Sequence, residues 1–236
     1  MTHAVGLWPA LEALRHRPRA VRRVVCHPRL PPRERAEVAE AAAAAGVPLV
    51  EDAGRVRALR RHRAAWLVTE LEPEDDALRA DLDHLVLVRP AQAGNVGAAM
   101  RAALGFGVRD VALIDPGVDA WSPHVLRASQ GARFALRARA WPHWRAYRGD
   151  HAAHEVVALV PPAAGAATAL TALAPPPLTA WTFGPEGGGL PAEALAGAAA
   201  VTIPQDPALE SHNLAVAVGI ALYARAAAAA PPGGTA

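Results

Sequence analysis

The stretch "GNVGAAMRAALGFGV", residues 94–108, decides how the rest of the chain is interpreted. It lies between two apolar runs, "HLVLVRP" at 84–90 and "DVALIDP" at 110–116, which have the length and the Val, Leu and Ile content of buried strands. The stretch itself is rich in Ala and long enough to form a loop and a helix. Strand, helix and strand therefore follow one another here, which is typical of an α/β protein.

The same alternation continues toward the C-terminus. Three more short apolar runs end at Pro or Gly, and helix-like segments separate them: "EVVALVP" at 155–161, "LTAWTFG" at 178–184 and "AVTIP" at 200–204. This pattern predicts an α/β domain over 84–228 with a buried, mostly parallel sheet. Ligands bind beyond the carboxyl ends of the strands in such sheets, so we expect the chemistry in the loops that follow them.

Residues 1–75 are predicted to form a separate, small α/β unit. Helices are expected at 6–17, 31–46 and 53–63, and strands at 21–27, 47–52 and 64–71. The acidic stretch "ELEPEDDALRADLDH", residues 70–84, contains Pro73 and has no strong apolar period. We therefore place the domain boundary within 72–83.

Composition limits the class of protein without choosing a function. The chain has 236 residues, 52% of them hydrophobic, and its 24 basic and 22 acidic residues leave a net charge of only +2. Cys26 is the single cysteine, and the N-terminal segment does not resemble a secretory signal, so a cytoplasmic location is expected. The apolar segment 213–230 contains Arg225 and follows the polar "ESHN", which favours a buried terminal helix over a membrane span.

Three of the strand-end loops carry unusual polar residues. Asn95 and Arg101 follow the first strand, Glu186 lies in "GPEGGGLP" at 184–191, and Ser211 and Asn213 stand at the mouth of a helix after the last strand. The Gly-rich loop matches neither a dinucleotide fingerprint nor a Walker loop, and its carboxylate would repel phosphate. It suits a neutral or cationic ligand that lies close to the backbone. The alternatives are an ordinary turn at the Gly-rich loop and simple capping of the helix by Ser211 or Asn213.

Taken together, in this order, the three loops resemble the SpoU/TrmH group of SPOUT methyltransferases, which transfer a methyl group from S-adenosylmethionine to a ribose 2′-hydroxyl of RNA. The resemblance runs from about His84 to Tyr223 and rests on three motifs, N-x-G-x-x-x-R, G-x-E-x-x-G-L and I-P followed by S-x-N. Their residues in this chain are Asn95, Gly97 and Arg101; Gly184, Glu186, Gly189 and Leu190; and Ile203, Pro204, Ser211 and Asn213.

The resemblance implies a fold and a set of site residues. It implies a deep C-terminal trefoil knot, a homodimer with shared active sites and S-adenosylmethionine as the cofactor. Cofactor binding is expected of Gly184, Gly189, Ile203, Ser211, His212 and Leu214, and catalytic roles of Arg101, Asn95, Glu186, Ser211 and Asn213. His212 stands where the family most often has Leu, and Ala215 where it has a second Ser. The first departure concerns the ligand pocket, and the second concerns a capping contact.

Roles for the polar residues follow from the chemistry of the transfer. The ribose hydroxyl is a poor nucleophile while it is neutral, and a guanidinium is a poor general base because it holds its proton strongly. Arg101 is therefore expected to bind the adjacent phosphate and to stabilise the developing alkoxide, with proton abstraction left open. Asn95 would orient Arg101 or the ribose, and Glu186 would anchor Arg101 or the loop.

The N-terminal unit resembles the ribosomal-protein-like RNA-binding domain that many family members carry. This resemblance favours ribosomal over transfer RNA as the substrate. Two clusters of arginines are candidates for phosphate contacts, although a solvated basic face is the alternative for each: Arg15, Arg17, Arg19, Arg22 and Arg23, then Arg55, Arg57, Arg60, Arg61 and Arg63. Other functions that stay open are a transfer RNA methyltransferase, a non-catalytic RNA-binding protein with the same knot, and an unrelated doubly wound nucleotide enzyme.

One further cluster has residue types that bind metals. "HAAHE", residues 151–155, contains His151, His154 and Glu155, but it lacks the H-E-x-x-H order and a third ligand at a recognisable spacing. No metal is therefore expected.

Overall fold

The computed structural model describes residues 1–59, 65–74, 76–162 and 167–229. Its N-terminal part contains a four-stranded mixed sheet in the order β1-β4-β2-β3, formed by β1 (Thr2–Val5), β2 (Val21–Cys26), β3 (Leu49–Glu51) and β4 (Leu67–Leu71). Helices α1 (Leu7–His16), α2 (Pro32–Ala45) and α3 (Ala53–Leu59) connect these strands. Over the described residues, the helices and three of the strands match the sequence prediction. Positions 60–63 of the helix predicted at 53–63 and position 64 of the strand predicted at 64–71 lie outside the described residues. The short edge strand β1 was not predicted.

The C-terminal part is built on a seven-stranded sheet in the order β7-β6-β5-β10-β8-β11-β9. Every neighbouring pair is parallel, which confirms the prediction of a parallel α/β sheet. The strands are β5 (His84–Val88), β6 (Asp110–Ile114), β7 (Arg137–Trp141), β8 (Glu155–Leu159), β9 (Thr168–Ala169), β10 (Thr179–Phe183) and β11 (Ala199–Thr202). Of these, β7 and β9 at the two edges were not predicted.

Helices cover both faces of this sheet, so its central strands β5, β6 and β10 are buried on both sides. The helices are α4 (Ala93–Gly105), α5 (Pro123–Ala128), α6 (Ala132–Ala135), α7 (Trp144–Asp150), α8 (Ala192–Leu195) and α9 (Leu214–Ala229). Alternate residues of β5 serve the two faces: Leu85 and Leu87 pack with α4 and α9, and Val86 and Val88 pack with α7. Among the described residues, no helix has the length and hydropathy of a membrane span.

Gly97 allows a close contact between helices α4 and α5. A Cβ atom at this position would lie 2.5 Å from Ala128 Cβ and 2.8 Å from both the Ser129 nitrogen and the Val125 oxygen. Helix α4 therefore packs against the end of α5 at a distance that only glycine permits. This contact fixes the position of α4, the helix that carries Asn95 and Arg101.

The two sheets belong to units that share a packed interface. Trp121, Leu126 and Phe134 of the C-terminal unit lie in one apolar cluster with residues of α1, β2 and β4. At its edge, Asp76 accepts hydrogen bonds from Arg17 at 2.7 Å and from the fully buried Arg133 at 3.3 Å. Burial lowers the pKa of Arg133 to about 10, and its guanidinium lies 3.9 Å from the centre of the Trp121 ring. The division into functional domains at 1–75 and 84–228 stays a prediction.

Candidate functional site

A pocket of about 330 Å³ opens at the carboxyl edge of the seven-stranded sheet. The ends of β8, β10 and β11 form its floor, and the start of α9 closes one side. All six residues predicted to bind the cofactor line it, together with Glu186 and Asn213. The pocket is also lined by residues that the sequence motifs did not indicate: Leu159, Val160, Pro161, Gln205 and Glu210. The segment 159–161 could have been found, because it is also a strand end.

The Gly-rich loop is held in a compact shape that forms one wall of the pocket. A Cβ atom at Gly184 would lie 2.9 Å from the Gly189 carbonyl carbon and 3.0 Å from the Leu190 nitrogen, so the loop folds back onto its own start. Gly187, Gly188 and Gly189 have φ angles of 87°, 93° and 66°, which L side chains rarely adopt. The backbone therefore requires glycine at these positions. The loop has a compact conformation that distinguishes it from an ordinary turn.

A chain of hydrogen bonds joins the three predicted motifs. The Asn95 side-chain amide donates to the Glu186 carboxylate, and Asn213 Nδ2 donates to Asn95 Oδ1 at 2.9 Å. The Asn213 Oδ1 atom accepts a hydrogen bond from the Ala215 backbone nitrogen, also at 2.9 Å. Asn95 therefore connects the first motif to the pocket loops, and within one chain the described hydrogen-bond partner of Glu186 is Asn95.

Asn213 is the residue that caps α9. Its side chain accepts from the second backbone N–H of the helix, which is the usual N-cap geometry, while Ser211 lies exposed on the pocket rim. The capping bond uses the backbone nitrogen of Ala215. The departure from Ser at this position therefore leaves that contact intact.

Arg101 lies apart from this network. It is exposed on α4, it does not line the pocket, and it has no hydrogen bond or ion pair within the described part of the chain. Helical geometry places its Cα about 10 Å from that of Asn95 and about 120° around the helix axis. Within one chain, the structure brings together Asn95, Glu186, Ser211 and Asn213, but it does not bring Arg101 to them.

The chemistry of the pocket wall limits what it can bind. The described lining residues include Glu186 and Glu210 but no arginine, and the apolar side chains of Phe183, Ile203 and Leu214 form much of the rest. Phosphate groups would lack cationic partners here. A neutral or cationic ligand with an apolar part fits this donor set better than a dinucleotide does.

The predicted phosphate-binding arginines have different environments. Arg17 is a structural residue at the interface of the two units, Arg22 pairs with Glu72, and Arg23 and Arg55 share the buried Glu70. Burial raises the pKa of Glu70, but hydrogen bonds from the two arginines outweigh this effect and lower it below its usual value. Arg15 pairs with Glu12. Two exposed arginines have no ion-pair partner among the described residues, Arg19 and Arg57. The remaining three candidates lie outside the described residues: Arg60, Arg61 and Arg63.

These features define an α/β protein with a pocket of small-molecule size at the carboxyl edge of a parallel sheet, between a Gly-rich loop and a capped helix. The model of the SpoU rRNA Methylase family matches residues 83–223, which is more than half of the chain. The chain belongs to this family, as the sequence resemblance predicts.

A comparison with an individual protein supports the family assignment. The chain is 36% identical over 144 residues to an uncharacterised tRNA/rRNA methyltransferase of Synechocystis sp.; the match covers 59% of this chain and 51% of the relative, so the chain spans about half the length of that protein.

Solved structures extend the likeness to nearly the whole chain. The SpoU methyltransferase AviRb from Streptomyces viridochromogenes has a TM-score of 0.80 at 20% identity, covering 96% of this chain and 88% of that chain. Its structure is also known in complex with the cofactor AdoMet. A structure described as an RNA 2′-O ribose methyltransferase has a TM-score of 0.73 at 26% identity, covering 94% and 86% of the two chains.

Proposed function

We propose that this protein transfers a methyl group from S-adenosylmethionine to a ribose 2′-hydroxyl of RNA, with ribosomal RNA as the favoured substrate. The observation that carries the proposal is the hydrogen-bonded connection from Asn95 to Glu186 and Asn213 at the mouth of the pocket. It joins the polar residue of the first motif to the two loops that form the pocket. Family membership and the AdoMet complex of a related fold support the choice of cofactor.

The pocket residues fit S-adenosylmethionine. Its adenosyl part would lie against the backbone of Gly184 and Gly189 and against Ile203 and Leu214, where the folded-back loop allows close approach. Ser211 and His212 offer polar atoms at the rim, and the two pocket carboxylates suit a ligand that carries a positive sulfonium. When bound, this cofactor supplies the methyl group that the reaction transfers.

The remaining residues would prepare the ribose. Asn95 has a fixed orientation because both atoms of its amide are hydrogen-bonded, so it can hold the ribose at the pocket mouth. The Arg101 guanidinium would bind the neighbouring phosphate and stabilise negative charge as the hydroxyl loses its proton. Glu186 acts through Asn95 as a positioning residue.

The position of Arg101 supports an active site shared by two protomers. Arg101 is exposed on α4, and α9, which packs beside α4, exposes Val216 by 49% and Tyr223 by 62%. A second protomer covering this surface would bury the apolar side chains and place Arg101 near the partner's pocket. A C-terminal trefoil knot is part of the same proposal. Two features support it: β10 lies between β5 and β8 in the sheet, and the C-terminal helix α9 packs against α4.

RNA binding is proposed for the N-terminal unit through its unpaired arginines. Arg19 and Arg57 are the described residues of the two predicted clusters that have no ion-pair partner among the described residues. Replacing either with Ala should weaken RNA binding and reduce its salt dependence by about one counterion. Filter binding at several salt concentrations measures both effects.

The test of the reaction is transfer of labelled methyl to ribosomal and transfer RNA isolated from unmodified cells. Arg101→Ala is expected to lower kcat about 100- to 1,000-fold, whereas the nearby exposed Arg109→Ala should leave it unchanged. Resistance of the product to alkaline cleavage locates the methyl group on ribose. Cofactor binding without label in either RNA would point to a binding protein, and a preference for NAD over S-adenosylmethionine in a thermal-shift screen would overturn the proposal.

Mixing two inactive variants tests the shared site. In a heterodimer of Arg101→Ala with Gly184→Val, one of the two composite sites keeps both a normal arginine and a normal pocket. Partial recovery of activity on mixing is therefore expected. If Arg101 serves its own pocket, both sites in the heterodimer stay defective and no activity returns.

A further inference from the structure

Three buried histidines meet at the amino-terminal edge of the seven-stranded sheet, away from the ligand pocket. His84 begins β5, His151 follows α7, and His154 immediately precedes β8; their exposed fractions are 0%, 8% and 2%. One ring nitrogen of each lies within 4.8 Å of a ring nitrogen of the other two. We propose that this histidine cluster binds one divalent transition-metal ion of the zinc type.

The hydrogen bonds of two of the rings leave the required lone pairs. His84 Nε2 lies 2.8 Å from the Arg79 carbonyl oxygen, and His154 Nε2 lies 2.8 Å from the Leu82 carbonyl oxygen. A carbonyl only accepts, so each Nε2 carries the proton and each Nδ1 keeps its lone pair. Metal-binding histidines usually have this arrangement, in which the second ring nitrogen donates to a backbone carbonyl and fixes the ring.

Unpartnered nitrogens give an independent indication of a ligand. The Nδ1 atoms of His151 and His154 are buried and have no hydrogen-bond partner in the described structure. His84 Nδ1 lies 3.0 Å from the Tyr147 hydroxyl, which a metal ion would displace. A buried nitrogen without a partner costs free energy, and a metal ion would satisfy these atoms at once.

The charge state of the rings suits metal binding. Burial is the main cause that lowers the pKa of His84, to about 4, and it also lowers the pKa of His151. Both rings are therefore neutral at neutral pH, which is the form that coordinates metal. Tetrahedral zinc with three imidazoles and one water would need nitrogen separations of about 3.4 Å. Binding must therefore draw the nitrogens together and separate the stacked His84 and His154 rings, whose centres are 4.0 Å apart.

The site would have a structural role. It lies at the opposite end of β5 from the strand-end loops, a distance of about 16 Å for a strand of this length. It would link the start of β5 to the segment between α7 and β8, which lies about 70 residues later in the chain. The prediction that no metal is bound rested on the lack of a third ligand near His151 and His154, and the fold places His84 beside them.

Cobalt binding to the full chain tests this proposal. After treatment with a chelator, the protein is expected to bind one equivalent of Co²⁺ with the strong visible bands of a tetrahedral site, and Zn²⁺ should displace it. His151→Ala and His154→Ala should each weaken binding more than about 10-fold. His124→Ala changes an exposed histidine elsewhere and should bind cobalt normally.

Two results would overturn the proposal: no cobalt binding by the wild-type protein, or equal binding by the wild type and both cluster variants. Binding of S-adenosylmethionine or the near-ultraviolet circular dichroism spectrum shows whether each variant is folded. If a variant does not fold, nitrogen NMR of the wild type decides. Zinc should shift the Nδ1 signals of His84 and His154, and unchanged signals would refute the site.

Discussion

Gly97→Ala adds a single methyl group where α4 meets α5, and its effect can be worked out from the contacts. The new Cβ would lie 2.5 Å from Ala128 Cβ and 2.8 Å from two backbone atoms, whereas unstrained carbon contacts are about 3.5–4.0 Å. Backbone atoms cannot rotate away, so the helices must separate by about 1 Å. Overpacking of this kind costs about 1–3 kcal/mol, and the better helix propensity of Ala returns up to about 1 kcal/mol. We expect a net loss of about 1–2 kcal/mol, which lowers Tm by about 2–8 °C in a chain of this size.

Gly94→Ala provides the matched control on the same helix. A Cβ atom at Gly94 meets nothing within 4 Å, so this variant should equal or exceed the wild type in stability by up to about 1 kcal/mol. Thermal unfolding followed by circular dichroism measures both variants. Displacement of α4 should also move Asn95 away from Asn213 and weaken cofactor binding in Gly97→Ala alone. If Gly97→Ala melts together with Gly94→Ala, the close contact between the helices does not exist and the reasoning fails.

Three further predictions concern the pocket, the capped helix and the buried ion pair. Gly184→Ala should raise the Kd for S-adenosylmethionine at least about 10-fold, because its Cβ would collide with the folded-back loop, whereas Gly149→Ala, with open space around it, should not change calorimetric titrations. Asn213→Ala should cost about 1 kcal/mol in unfolding experiments through loss of the cap, and Asn213→Asp should restore stability without restoring the donor to Asn95. Glu70→Gln should destabilise the fold by about 2–3 kcal/mol at pH 7. Because the folded-state pKa of Glu70 is lowered, its contribution is full above its unfolded pKa and is lost as pH falls through the folded value, so the difference in urea unfolding between wild type and Glu70→Gln should narrow steadily as pH falls below the unfolded pKa.

The central strands and the pocket loops could be predicted because their signals are local. Buried parallel strands are continuous apolar runs, and each motif of the site lies in the loop or helix that directly follows a strand. The edge strands could not be found in this way. β7 carries Arg137 and Arg139, which suit the exposed edge of a sheet but hide an apolar pattern, and β9 has only two residues.

Contacts between distant residues account for the rest of the differences. Arg17 belongs to a basic run in the sequence, yet it pairs with Asp76, 59 positions away. His84 looks like the polar start of a strand, and its neighbours His151 and His154 follow about 70 residues later. Residue type and spacing do not reveal such pairings, because many arrangements of the same helices and strands satisfy the same local pattern.

The interface between the two units has a consequence for the proposed reaction. Arg17 donates to the carbonyl oxygens of Phe134 and Leu136 at 3.1 and 2.6 Å as well as to Asp76, so it ties the end of α1 to the segment around α6. Asp76 also binds the buried Arg133, and removing one partner would leave charge uncompensated in a closed interface. The N-terminal unit is therefore held at a fixed position relative to the sheet rather than on a flexible linker. RNA bound to this unit would have its distance to the pocket set by the fold, and such positioning favours a displacement that requires alignment of oxygen, methyl and sulfur.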